Sequence, residues 1–446
     1  MTTTLLLSVL AGIAILLILV LYFRMQAFIS LLIASIVVGL FAGLSGAEVI
    51  QTIQKGMAGT LGFVATVVGL GAILGAILEH SGGTKAIVNF MIRKFGIDRA
   101  PSALAISGFI IAIPVFFDVA FIILVPVIYA LQRKTKKSLL LYAIPLLAGL
   151  ATTHAFIPPT PGPVAVADII GAQLGWVILV GLIAGLPTVI ISGLLFGKYI
   201  SKKIHIEAPK LEEDDVEELK LPHVGMVISI IIIPIIMILV NTTFKANEYL
   251  SNNFNSLAAL FDFLGHPFAA LIIANLLAWY FLGIRKGYTK KELLDISTKS
   301  LAPAGVIILL TGAGGVFKQV LVDTGAGKVI AELMSDLGLP IIIFSFIAAA
   351  VIRIIQGSAT VAMITAAGLV SPLLVSSTFS GPELACVVIA IASGASILSH
   401  VNDSGFWLVS QYLGLSEKQT FRSWSVMTTI LALTGFAMAL IINLFV

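Results

Sequence analysis

Apolar runs follow one another along this chain from Thr4 to its last residue, at about 4–23, 27–47, 58–78, 102–132, 139–166, 169–197, 224–244, 267–284, 301–317, 337–375, 384–411 and 423–446. Nothing constrains the fold more. A backbone inside hydrocarbon has no water to bond and must pair its own N–H and C=O groups, which leaves helices or closed barrels. Runs of about 20 apolar residues match the length of a membrane-crossing helix. Hydrophobic residues make up 59% of the chain and charged ones 11%, against roughly 25% charged in soluble domains. The chain is therefore read as one all-α polytopic membrane protein with no soluble domain.

The first run, Thr4 to Phe23, lacks a basic leading segment and a small-residue cleavage site, and is expected to stay as a helix. The lone cysteine, Cys386, excludes an intrachain disulfide framework and a cysteine-rich metal site. A net charge of +4 does not point to nucleic acid, because the basic residues crowd into short loops beside apolar runs. Arg133, Lys134, Lys136 and Lys137 form one such group, and Arg285, Lys286, Lys290 and Lys291 another. If 102–132 and 337–375 do not cross, nearly all basic residues fall on one side, and the other keeps Lys55, Lys245, Lys318 and Lys328. The rich side is expected to be cytoplasmic, with ten crossings and both termini outside.

Those two segments are too long for one crossing, and each has a helix-breaking centre: Pro114-Val-Phe-Phe-Asp118 and Gln356-Gly-Ser-Ala-Thr360. Both read as re-entrant hairpins whose tips line a watery cavity. The chain also repeats itself. Gly71–Ile87 aligns without gaps on Gly314–Ile330, and Thr153-His154 corresponds to Ser399-His400. The expected architecture is two inverted repeats, residues 1–199 and 224–446, joined by a cytoplasmic linker at 200–223. Each repeat holds three helices, a re-entrant hairpin (102–132 or 337–375), a broken helix (139–166 or 384–411) and a final helix. Within the linker, Lys210 to Lys220 carries the acidic run Glu212, Glu213, Asp214, Asp215, Glu217 and Glu218 and reads as a solvated connection. Inverted repeats interrupted at matching places are the signature of secondary transporters, with the site at the repeat interface.

The fifth run is interrupted by Thr152-Thr-His-Ala-Phe-Ile-Pro-Pro-Thr-Pro-Gly-Pro163, which cannot continue as helix. The start of the next half-helix offers unpaired N–H groups to an anion, which makes Thr153, Thr160 and Gly162 candidate contacts. The matching break, Ser399-His-Val-Asn-Asp-Ser-Gly405, gathers groups suited to a polyol, Asn402 and Ser404 among them. Asp118, Arg353 and Asp403 are the formally charged residues deep in their segments, where charge must be paired, hydrated or functional. The aspartates read either as proton carriers or as caps and partners of Arg353. Arg353 reads either as a fork for a substrate carboxylate or as a brace for its hairpin. His154 and His400 titrate near neutrality and read as proton relays or as bonds to the broken backbone. Gly357, Ser358 and Thr360 would let backbone approach a ligand or form a tight turn, and Phe117 sits at the first tip.

An intramembrane enzyme is the competing class, but no H-E-x-x-H, G-x-S-x-G or P-loop occurs. Gly312-Ala-Gly-Gly315 lies within an apolar helix and reads as a close-packing stripe. No cofactor or metal is implied.

Taken together, Ile113-Pro-Val-Phe-Phe-Asp-Val, Thr153-His-Ala-Phe-Ile-Pro-Pro-Thr-Pro-Gly-Pro, Gly312-Ala-Gly-Gly-Val-Phe-Lys-Gln-Val-Leu, Gly357-Ser-Ala-Thr-Val-Ala and Ser399-His-Val-Asn-Asp-Ser-Gly-Phe-Trp closely resemble the gluconate permease family of proton symporters. The resemblance runs over nearly the whole chain. It implies scaffold helices, paired hairpins and an elevator-like substrate domain in a bacterial inner membrane, and a homodimer held by the scaffold. It implies import of gluconate or a related sugar acid with protons, with sodium-coupled carboxylate or D-serine transport as the alternatives. Many members read proline-proline-histidine-proline where this chain has Pro158-Pro-Thr160-Pro161, so the family's histidine has no counterpart here.

Overall fold

A computed structural model describes residues 2–209, 221–247, 255–326, 329, 339–374 and 379–446. The acidic run of Lys210 to Lys220, Lys328, and residues 337, 338 and 375 of the second hairpin lie outside the described residues. Among the described residues every regular element is helical. The first half holds α1 (Thr2–Leu21), α2 (Ala27–Phe41), α3 (Gly46–His80), α4 (Gly83–Phe95), α5 (Ala100–Ile111), α6 (Phe117–Thr135), α7 (Leu140–Phe156), α8 (Pro161–Ile170) and α9 (Leu174–Lys203). The second holds α10 (Val224–Ala246), α11 (Asn255–Leu264), α12 (Pro267–Lys286), α13 (Lys290–Asp323), α14 (Ile341–Gln356), α15 (Ala359–Leu374), α16 (Gly381–Gly394), α17 (Ser404–Leu413) and α18 (Glu417–Asn443).

Seven of these stretches are long and apolar enough to cross a membrane: α3, α7 with α8 (Leu140–Ile170), α9, α10, α12, α13 and α18. Others are too short. The 12 residues of α5, 14 of α16 and 10 of α17 span about 15–21 Å at 1.5 Å per residue, against about 30 Å of hydrocarbon. Several of the breaks between helices are set by the sequence. Pro114 lies in the turn between α5 and α6, Pro158 and Pro159 between α7 and α8, and Gly357, at φ +91°, ends α14 in the left-handed region that only glycine enters without cost.

The long helices α3 and α13 pack antiparallel along their whole length. Thr52 Oγ1 donates to Asp323 Oδ2 at 2.8 Å near one end, and Tyr288 Oη donates to the His80 carbonyl at 2.6 Å at the other. Both helices begin with a capping box, Ser45 with Glu48 and Thr289 with Glu292, and both boxes lie well outside the apolar runs 58–78 and 301–317. Two paired orphan donors at each start carry the helices out of the apolar region. In lipid, helices associate through close contact rather than water exclusion, and glycine permits it here. A Cβ on Gly56 would fall 2.6 Å from Val316 Cα and 2.7 Å from the Gly315 carbonyl. The small-residue stripe at 312–315 is thus a helix seam. Gly108 and Gly149 do the same between α5 and α7, and Gly394 between α16 and α14.

Gly56→Ala is expected to cost about 1–3 kcal/mol of stability by forcing α3 off α13, read as a lowered thermal midpoint in detergent. Gly59→Ala, with nothing within 4 Å of its new methyl, should leave the midpoint unchanged.

Candidate functional site

The helix ends left inside the molecule converge on one cavity of about 540 Å³, within the ~300–1,000 Å³ range of small-molecule sites. The amino ends of α6, α8, α15 and α17 open on it, bringing Phe117 and Asp118, Gly162, Thr360, and Ser404 and Gly405 to its wall. The carboxyl end of α7 adds His154, that of α14 adds Arg353 and Gln356, and α18 adds Trp424 and Thr428. Four helix amino ends give the space a positive bias suited to an anion.

Arg353 is the main charged group of the wall and is only 4% exposed. Its Nη2 donates to Asp403 Oδ2 in a buried ion pair. Its Nε and Nη1 are buried and have no hydrogen-bond partner among the described residues. Donors left unpaired in an apolar interior cost about 1–3 kcal/mol each, so the pair with Asp403 leaves hydrogen-bonding capacity at this guanidinium unused. Asp403 also caps α17, accepting from Gly405 N at 3.1 Å, and accepts from Ser399 Oγ. Asp118 lies on the first turn of α6 with its side chain open to the cavity.

The cavity brings together Phe117, Asp118, His154, Gly162, Arg353, Gly357, Ser358, Thr360, Asn402, Asp403 and Ser404. Thr153, Thr160 and His400 stand outside its wall. Thr153 is fully buried, and Thr160 Oγ1 donates to the Ile157 carbonyl at 2.6 Å, closing the break before α8. His400 Nε2 lies 2.9 Å from the Ile354 carbonyl, and Asn402 Nδ2 donates to the Ile354 and Ile355 carbonyls at 3.1 and 3.2 Å. These two residues tie the break before α17 to the end of α14. Sequence reasoning missed Trp424, Thr428, Ser396 and Met363. A signal existed for the first two, since Trp424, Ser425 and Thr428 carry polar groups into the apolar part of the last helix.

The half-helix α8 is moored at its far end. Lys318 Nζ of α13 and Ser371 Oγ of α15, the latter at 2.7 Å, both donate to the Ile169 carbonyl. A cation there complements the helix's negative end. A second pocket of about 450 Å³ shares Phe116, Val119 and Pro303 with the first and is lined by Glu79, His80, Tyr288, Glu292, Asp295 and Lys299.

Residues 4–445 match the family described as GntP family permease. The chain belongs to that family. It is 41% identical over 441 residues to the low-affinity gluconate transporter of Escherichia coli K12, covering 99% of this chain and 98% of that protein. It is 38% identical over 445 residues to the gluconate permease of Bacillus subtilis, covering 98% of each. It is also 37% identical over 434 residues to the Gnt-II system L-idonate transporter of E. coli K12, covering 97% of this chain and 98% of that protein. The permease shares its fold with the YdaH transporter of Alcanivorax borkumensis, at a TM-score of 0.68 and 12% identity over 94% of this chain and 97% of the other. Neisseria gonorrhoeae MtrF, of a class of antimetabolite efflux pumps, aligns at a TM-score of 0.64 and 13% identity over 93% and 94% of the two chains. The protein is thus a multi-pass membrane permease, and not an enzyme.

Within the cavity, Gly357→Ala would place a methyl 2.7 Å from Asn402 Cγ and require a left-handed alanine. We expect a purifiable permease whose initial uptake rate in proteoliposomes falls about tenfold or more, from roughly 1–3 kcal/mol of strain at the site.

Proposed function

We propose that this permease imports gluconate or a closely related sugar acid with protons across the bacterial inner membrane, by alternating access of elevator type. The observation that carries the proposal is Arg353, paired with Asp403 on the wall of a cavity ringed by hydroxyls and helix amino ends, with its Nε and Nη1 buried and without a partner among the described residues. A carboxylate on the guanidinium and a polyol chain among Ser358, Thr360, Ser404 and Thr428 would satisfy both ends of a sugar acid. The names of the gluconate and L-idonate relatives support the same substrate class.

The inverted-repeat organisation, residues 1–199 and 224–446 about the 200–223 linker, belongs to this proposal. The matched capping boxes of α3 and α13, their antiparallel packing, and the equivalent glycine contacts at Gly149 and Gly394 support it. So does the correspondence of α5 with α6 to α14 with α15, which we read as two re-entrant hairpins. An elevator is supported by the make-up of the cavity, whose wall comes from α6–α8 and α14–α18 and takes only Pro303 and Ile307 from the long α3–α13 pair. A homodimer held through the long helices, and termini on the outer side, complete the reading.

The test is uptake of labelled gluconate into proteoliposomes under an imposed pH gradient or an imposed sodium gradient. Accumulation driven by the pH gradient is expected. Accumulation under sodium alone would replace proton coupling with sodium coupling, and uptake of D-serine but not of sugar acids would replace the substrate.

Arg353→Lys, which keeps the charge and loses the planar fork, is expected to raise the KM for gluconate by about tenfold or more, through loss of about 1.5–3 kcal/mol of charge-assisted bonding. Initial-rate kinetics in the same vesicles check it.

A further inference from the structure

Two carboxylates share the cavity, and their surroundings are opposite in kind. Asp403 is engaged on both oxygens. Oδ1 accepts from Gly405 N, and Oδ2 accepts from Arg353 Nη2 and from Ser399 Oγ. The direction of the serine bond is set one residue further out. Trp424 Nε1 reaches Ser399 Oγ at 2.6 Å, and an indole nitrogen only donates. The hydroxyl therefore accepts from Trp424 and turns its own hydrogen to Asp403. The backbone of Ser399 is fixed as well, since its N–H donates to Thr428 Oγ1 at 3.1 Å and its carbonyl accepts from Ser425 Oγ. Three donors converge on a carboxylate that acts purely as acceptor, held beside a guanidinium.

Asp118 opens to the same cavity, and among the described residues no hydrogen bond or ion pair engages its side chain. It can gain or lose a proton without breaking a contact. His154 is the other titratable group of the wall. Its ring meets Phe116 edge-on at 6.2 Å, and its Nδ1 is buried without a partner among the described residues, so a proton at Nδ1 would be left unpaired there. Glu79, His80, Tyr288, Glu292, Asp295 and Lys299 line the second pocket, which shares Phe116 and Val119 with this one.

We infer that Asp118 is the proton-carrying carboxylate, that Asp403 is the brace of Arg353, and that Ser399 and Trp424 are positioning residues for that brace. The inference rests on the proton-coupled import proposed above. Counting charge shows how the coupling works. With Arg353 and both aspartates ionised, the empty cavity carries one net negative charge. A sugar-acid anion would add a second, and like charges repel strongly in an enclosure of low dielectric. A proton passing from outer water to Asp118 removes the excess, and its release to inner water together with the anion returns the carboxylate to its ionised form. One proton moves with each monoanion.

The test uses the full chain in proteoliposomes with labelled gluconate, in two assays: accumulation under a pH gradient, and counterflow against internal unlabelled gluconate at equal pH. Asp118→Asn is expected to lose accumulation while continuing to exchange, at a rate that no longer varies with pH, and Asp118→Glu to keep accumulation. Asp403→Asn is expected to lose both. Trp424→Phe keeps a ring against Phe117 but removes the N–H, and should raise the KM about tenfold with kcat little changed and the pH response intact. The assignment is overturned if Asp118→Asn still accumulates, if both Asp118 variants fail in both assays, or if Asp403→Asn or His154→Asn exchanges with its pH response gone. An unchanged KM in Trp424→Phe overturns the positioning role. A wild-type chain that exchanges but never accumulates under a pH gradient would instead overturn proton coupling itself, so the two failures are told apart.

Discussion

Hydrocarbon cannot hydrogen-bond to a peptide group, and the rest of this structure follows from how the chain meets that constraint while stopping helices short of the far side. Every early stop leaves N–H or C=O groups at depth, and each must be answered from within the protein. Asp403 answers Gly405 N; His400 and Asn402 answer the last carbonyls of α14; Lys318 and Ser371 answer Ile169. Charged and amide side chains take this task at several of the helix ends. The cavity is the place where several of those ends face one another.

The Arg353–Asp403 pair is the costliest member of that set. Burying two charges is rarely repaid in stability by their mutual attraction. The pair is better understood through what it leaves over. Asp403 uses one guanidinium nitrogen, and the two others are buried without a partner among the described residues. The Ser399–Trp424 chain behind Asp403 means that the anion is held by α17 and α18 together, so the orientation of Arg353 depends on residues that do not themselves need to touch a substrate.

Much of this was legible in the sequence, because the features concerned are local. Proline and glycine mark the breaks after Ile111, Phe156 and Gln356, and three charges in apolar segments stand out without any knowledge of the fold. What was illegible depends on direction and on distance along the chain. Thr160 is as suitable a ligand as Thr360 on paper, yet its hydroxyl turns to Ile157 and away from the cavity. The contact of Lys318 with Ile169 joins positions 149 residues apart. The lengths of α3 and α13 were also hidden from hydropathy, since Ser45 and Thr289 start these helices far outside their apolar stretches.

The mooring of Ile169 has a mechanical side. Two helices, α13 and α15, grip the same carbonyl at the closed end of α8, while the opposite end, at Gly162, faces the cavity against Met363. A rod of 10 residues, about 15 Å long, is thereby fixed at its heel and closely packed at its toe, where a Cβ on Gly162 would lie 2.6 Å from Met363 Sδ. Any side chain at position 162 would have to displace Met363 along the cavity wall, so the room left to a ligand depends on the one side chain that α8 omits.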